Sequence, residues 1–123
     1  MKFTLENNAQ VNVVRAYSRT QLRVGDTTLS GSCIIAPDRL IGDWDPQRFE
    51  DLTVAHLEPI FALAPQVVLL ATGERQRFAP ASVRAAFAER GLGLEVMDLG
   101  AACRTYNILV QEERRAVAGI FFD

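Results

Sequence analysis

Histidine occurs once in this 123-residue sequence and cysteine twice. A single imidazole, His56, excludes a metal site built from several histidines and confines any Ser–His or Cys–His mechanism to one residue. Cys33 and Cys103 stand in different segments without a thiol or imidazole at metal-ligand spacing, which suits two small buried side chains of an intracellular, cytoplasmic protein. Such a chain is expected to fold with no disulfide, metal or cofactor. An excess of one charge is also missing. Thirteen Lys and Arg face fifteen Asp and Glu, for a formal net charge of −2 without any block of like charges, so nothing marks the chain for nucleic acid or anionic lipid. The longest apolar runs, Gln66–Ala71 and Ala116–Phe122, are far shorter than the roughly 20 residues that span a bilayer. Met1–Asn8 alternates Phe3 and Leu5 with polar neighbours and lacks the basic and apolar regions of a secretory signal.

What is present is a core's worth of apolar residues, 49% of the chain, in a length typical of one domain, taken as residues 1–123. Short runs rich in Val, Ile, Thr and Tyr predict strands over Lys2–Leu5, Val11–Tyr17, Gln21–Val24 and Thr28–Ile35, with a hairpin turn at Gly25-Asp26. These make an antiparallel β meander. A polar link, Gly42-Asp43-Trp44-Asp45-Pro46, follows and suggests an exposed Trp between two carboxylates. From Asp51 the hydrophobic period lengthens to about 3.6. Thr53 caps a helix over Val54–Leu63 that Pro59 should kink or divide. Gln66–Ala71 reads as a strand buried on both faces, Pro80–Arg90 as a helix with Val83, Ala86 and Phe87 inward, and Leu94–Met97 as a strand. Gly100–Glu112 favours strand by propensity at Thr105–Val110, yet Ala102, Tyr106, Leu109 and Val110 share a helical face, and the periodicity decides for helix. Ala116–Phe122 closes as a strand. The reading is a three-layer α/β domain, a mixed central sheet covered by helices with right-handed crossovers, plus the N-terminal meander. There is no internal repeat or low-complexity segment.

Residues with chemical potential are few. Ligands of open α/β sheets gather beyond the carboxyl ends of strands, which singles out the turn Thr72-Gly73-Glu74-Arg75. Its single glycine falls short of a dinucleotide fingerprint or a Walker loop. Asp43 and Asp45 read as a solvated turn, and His56, near Glu58, as a surface or cap-proximal residue. In Arg104-Thr105-Tyr106-Asn107, Tyr106 should face the core while Arg104 and Asn107 lie on the other side, near the preceding loop. There they would bind a partner or fasten a strand end. Parallel topology brings Thr72, Gly73, Glu74 and Arg75 together with Arg104 and Asn107 at one sheet edge as a single candidate binding surface. No catalytic or metal-binding set stands out.

The run Val67 through Ala71-Thr72-Gly73-Glu74-Arg75, then Arg90-Gly91-Leu92, Leu94-Glu95-Val96-Met97-Asp98 and Ala101-Ala102-Cys103-Arg104-Thr105-Tyr106-Asn107-Ile108-Leu109 closely resembles one family. It is the small α/β domain of bacteria and archaea whose mitochondrial members are the assembly factor 3 proteins of NADH:ubiquinone oxidoreductase, respiratory complex I. Ala16-Tyr17, Gly25, Gly31-Ser32 and Trp44 extend the likeness more loosely through the amino-terminal half. Glu113 departs from it, standing where the family usually has a glycine suited to a left-handed helix cap. The resemblance implies a three-layer fold with no catalytic residues to carry over, and a non-enzymatic binding or assembly protein with protein partners, in the manner of complex I assembly. A small-molecule-binding protein or enzyme using the Gly73 and Asn107 region is the alternative, since fold restricts function only weakly.

Overall fold

The computed structural model describes residues 11–123, and the strand expected over Lys2–Leu5 lies outside them. Five strands open it: β1 (Val14–Tyr17), β2 (Gln21–Val24), β3 (Thr27–Ser30), β4 (Cys33–Ala36) and β5 (Arg39–Ile41). The single strand expected over Thr28–Ile35 is divided between two sheets. Gly31, at a φ of 83°, turns the chain where most residues would be strained, and Ser32 is drawn inward to donate to the Pro46 carbonyl oxygen at 2.7 Å. The expected hairpin forms, with Val24 paired to Thr27 across Gly25-Asp26.

After 3₁₀ turns at Phe49–Asp51 and Val54–Leu57 come α1 (Glu58–Ala62), β6 (Val67–Thr72), α2 (Ala81–Glu89), β7 (Gly93–Met97), α3 (Leu99–Gln111) and β8 (Ala116–Phe121). Pro59 does divide the helix expected over Val54–Leu63, because it stands in the first turn of α1, where a missing N–H costs little. β1, β2 and β3 form one antiparallel sheet, and the other runs β5-β4-β8-β6-β7. β6 pairs parallel with β7 and β8, while β4 pairs antiparallel with β5 and β8.

Strand parity explains why this sheet is dry on both sides. Cys33, Ile35, Leu69, Ala71, Ala118 and Ile120 point into one core with α3 and the meander. Their neighbours Ile34, Ala36, Val68, Leu70, Val117 and Phe121 point into the other with α1 and α2. Each large apolar side chain so placed contributes about 2 kcal/mol. Val83 and Phe87 face the sheet from α2, and Ala102, Tyr106 and Val110 from α3, with Leu109 packed beside them. Trp44, expected in solvent, is buried. Its ring lies over Gly119, 5.0 Å from the Phe121 ring, and its indole N–H donates to the His56 carbonyl oxygen at 3.0 Å. No described helix is long and apolar enough to cross a membrane.

The Asp98 carboxylate starts α3 by accepting from the Ala101 N–H at 2.9 Å. At the other end Glu113 itself takes a left-handed φ of 62°, and Arg114 N–H donates back to the Leu109 carbonyl oxygen at 2.9 Å. The helix thus ends as a glycine-capped helix would. Replacing Glu113 by Gly should stabilise the protein by about 0.5 to 1 kcal/mol, measured by urea denaturation, because the left-handed conformation strains only a residue with a Cβ.

Burial pushes the Cys33 and Cys103 thiols up from 9.0 to about 12, with a smaller part of the rise at Cys33 coming from its neighbour Cys103. Between those values the unfolded chain releases thiol protons that the folded chain keeps, so each thiol lowers stability by up to about 1.4 kcal/mol per pH unit as pH rises. Urea midpoints at about pH 8 and about pH 10 should therefore differ less in the Cys33→Ala, Cys103→Ala double variant than in the native chain.

Candidate functional site

β6 is followed by a helix on one face of the sheet, and the adjacent β7 by a helix on the opposite face. Right-handed connections require this, since β7 lies on one side of β6 and β8 on the other. The chain therefore diverges at the carboxyl ends of β6 and β7 and leaves a crevice there. A cavity of about 410 Å³ occupies it, lined by Gly73 and Glu74 after β6, Asp98, Leu99 and Gly100 after β7, Phe122 after β8, Arg104 on α3, and Tyr17, Ser18 and Arg19 from the β1–β2 turn.

Gly73 takes a φ of 81°, and a Cβ there would collide with the Asp123 carbonyl oxygen. Its own carbonyl oxygen accepts from Leu99 N–H at 2.7 Å, which fixes the start of α3 against the end of β6. Glu74 reaches across the mouth to Arg19, with 2.6 Å between Oε2 and Nε. Thr72 is buried, and its hydroxyl donates to the Arg75 carbonyl oxygen at 2.6 Å and accepts from Arg77 N–H at 3.2 Å. Arg77 then reaches the carbonyl oxygens of Thr72 at 3.0 Å and Asp123 at 2.9 Å, and stacks over Phe49. Thr72 and Arg75 line a smaller hollow of about 210 Å³ that shares Glu74 and Phe122 with the cavity.

Of the six residues singled out in sequence, Gly73, Glu74 and Arg104 thus share the cavity, and Thr72 and Arg75 adjoin it. Asn107 does not reach it. One helical turn further on, its amide oxygen accepts from Val14 N–H at 2.8 Å and its amide nitrogen donates to the Val14 carbonyl oxygen at 2.9 Å. The side chain imitates a neighbouring strand along the edge of β1. It holds the meander onto α3, helped by Tyr106, whose buried hydroxyl donates to the Asn12 carbonyl oxygen at 2.9 Å. Arg104, Asn107 and β1 border a further groove of about 260 Å³.

His56 serves its own turn: Nδ1 accepts from Thr53 N–H at 2.9 Å, and Nε2 lies 3.9 Å from the exposed Asp45 carboxylate. Among the described residues no three His, Cys, Asp or Glu cluster closely enough to hold a metal ion. Sequence reasoning missed Tyr17, Ser18, Arg19, Asp98, Leu99, Gly100 and Phe122. Asp98 carried a local signal, a capping residue directly after a strand. Tyr17 carried none, since it enters the cavity only because the meander docks on α3.

A family model described as a protein of unknown function (DUF498/DUF598) matches residues 14–121. The chain belongs to this family. The DUF498/DUF598 domain is 32% identical over 110 residues to "NADH dehydrogenase [ubiquinone] 1 alpha subcomplex assembly factor 3" of Danio rerio, a match that covers 88% of this chain and 63% of that one. It thus spans under two thirds of that relative's length. A Xanthomonas campestris protein solved by NMR is 40% identical at a TM-score of 0.82, covering 90% of this chain and 84% of its own. A Bordetella parapertussis crystal structure is 36% identical at a TM-score of 0.84, covering 92% and 97%.

Asn107→Ala should cost about 2 kcal/mol, since two hydrogen bonds to Val14 are lost. Hydrogen exchange should accelerate at the Val14 amide while amides of β6 and β8 stay protected below the global unfolding limit.

Proposed function

We propose that this domain is a binding protein serving the assembly of a multi-subunit membrane complex, in the manner of the relatives named complex I assembly factor 3. The observation that carries this reading is coverage. Relatives of that name from Danio rerio and Homo sapiens match 88% and 86% of this chain, so nearly the whole domain is common to proteins with that role. The site supports it too, because Thr72, Asn107 and Asp98 are spent on holding backbone.

For a partner contact the domain offers Phe78, an aromatic residue 88% exposed in the loop between β6 and α2. An aromatic side chain in open solvent gains most from burial against a partner. A second reading, a small-molecule-binding protein or enzyme, is favoured by the 410 Å³ cavity at the divergence of β6 and β7, a size usual for metabolite sites.

Affinity purification of the tagged full chain from its source cells, with quantitative mass spectrometry, tests the first reading. Enrichment of subunits of a respiratory membrane complex is the expected result, and Phe78→Ala should lower that recovery about tenfold or more without changing the thermal midpoint. If no such subunit is enriched over an unrelated tagged control, the assembly reading fails.

A further inference from the structure

Gly100 stands in the first turn of α3, where glycine weakens a helix relative to alanine. The missing methyl group leaves room that two polar groups share. A Cβ at Gly100 would lie 2.7 Å from the Tyr17 hydroxyl oxygen and 3.3 Å from Arg104 Nη1. One group comes from the end of β1 and the other from the second turn of α3, and they converge over the same bare patch of helix inside the cavity.

The other charged groups of the cavity are occupied. Glu74 is paired with Arg19, and the Asp98 carboxylate caps the helix at Ala101 N–H. Arg104 forms no ion pair among the described residues. A guanidinium offers planar, paired N–H donors that match the two oxygens of a carboxylate, and a tyrosine hydroxyl adds a third donor. Beside these donors the wall includes the partly buried Phe122, and Leu99, whose side chain is packed into the core.

From this arrangement we propose that the cavity binds a small organic acid, its carboxylate held by Arg104 and the Tyr17 hydroxyl and its apolar body against Phe122. The inference rests on the second reading above, that the cavity takes a small molecule.

The probes are 3-phenylpropionate and its uncharged analogue 3-phenylpropan-1-ol, titrated into the full chain and followed by ¹H–¹⁵N NMR. The acid should shift the amides of Tyr17, Gly100 and Arg104, and the alcohol should leave them in place. Arg104→Gln and Gly100→Ala should each weaken binding of the acid about tenfold or more. Gly100→Ala should do so with a thermal midpoint at or above that of the native chain, because alanine favours the helix and the groups it displaces are ends of flexible side chains. If acid and alcohol shift the same amides equally and Arg104→Gln changes neither, the carboxylate assignment is overturned while the cavity stands as a ligand site. If neither probe shifts them, both are overturned.

Discussion

A sheet that must be kept dry on both faces governs this structure. β6 and β8 lie at its middle with nearly every side chain buried, so no connection can return to the sheet without covering one face or the other. β7 and β8 flank β6 on opposite sides, so the connections after β6 and β7 are forced onto opposite faces. The crevice between those departures is a consequence of topology, and it is where the 410 Å³ cavity lies. The hydrogen bond from Leu99 N–H to the Gly73 carbonyl oxygen ties its two rims together, and residue 73 is a glycine because its positive φ and the carboxyl-terminal backbone pressed against it leave no place for a Cβ.

The meander turns that crevice into a cavity. It covers the α3 side of the sheet with Val14, Leu22 and Val24, and it is attached to the helix by Asn107, whose amide satisfies both backbone groups of Val14, and by the Tyr106 hydroxyl at Asn12. A buried backbone N–H or carbonyl left without a partner is costly, so this edge has to be covered. Asn107 therefore acts on the site from a distance: it fixes β1, and β1 delivers Tyr17, Ser18 and Arg19 to the cavity wall. The exposed aromatic residue and the cavity also lie in separate places on this domain. Phe78 stands in solvent on the loop after β6, whereas the cavity is framed by the meander and α3.

Sequence by itself determined much of this protein. Period-two and 3.6-residue patterns located the elements, because an element's buried face must repeat with its own geometry. Ala102, Tyr106 and Val110 were legible as the inner face of α3 in spite of the strand-favouring run around them, since burial outweighs a weak local preference. Gly73, Glu74 and Arg104 were legible as neighbours from the rule that parallel strands end on the same side. Only the tertiary structure decided the rest. Trp44 reads as exposed between two carboxylates, and it is buried because Gly119, 75 residues away in the chain, leaves space for its ring. Asn107 reads equally as a binder or a fastener, and it fastens because Val14 lies against it across a separation of 93 residues. Tyr17 and Gly100 have no mark in their own neighbourhoods. They meet because two sheets and a helix pack together, and contacts between distant segments leave no local pattern in a single chain.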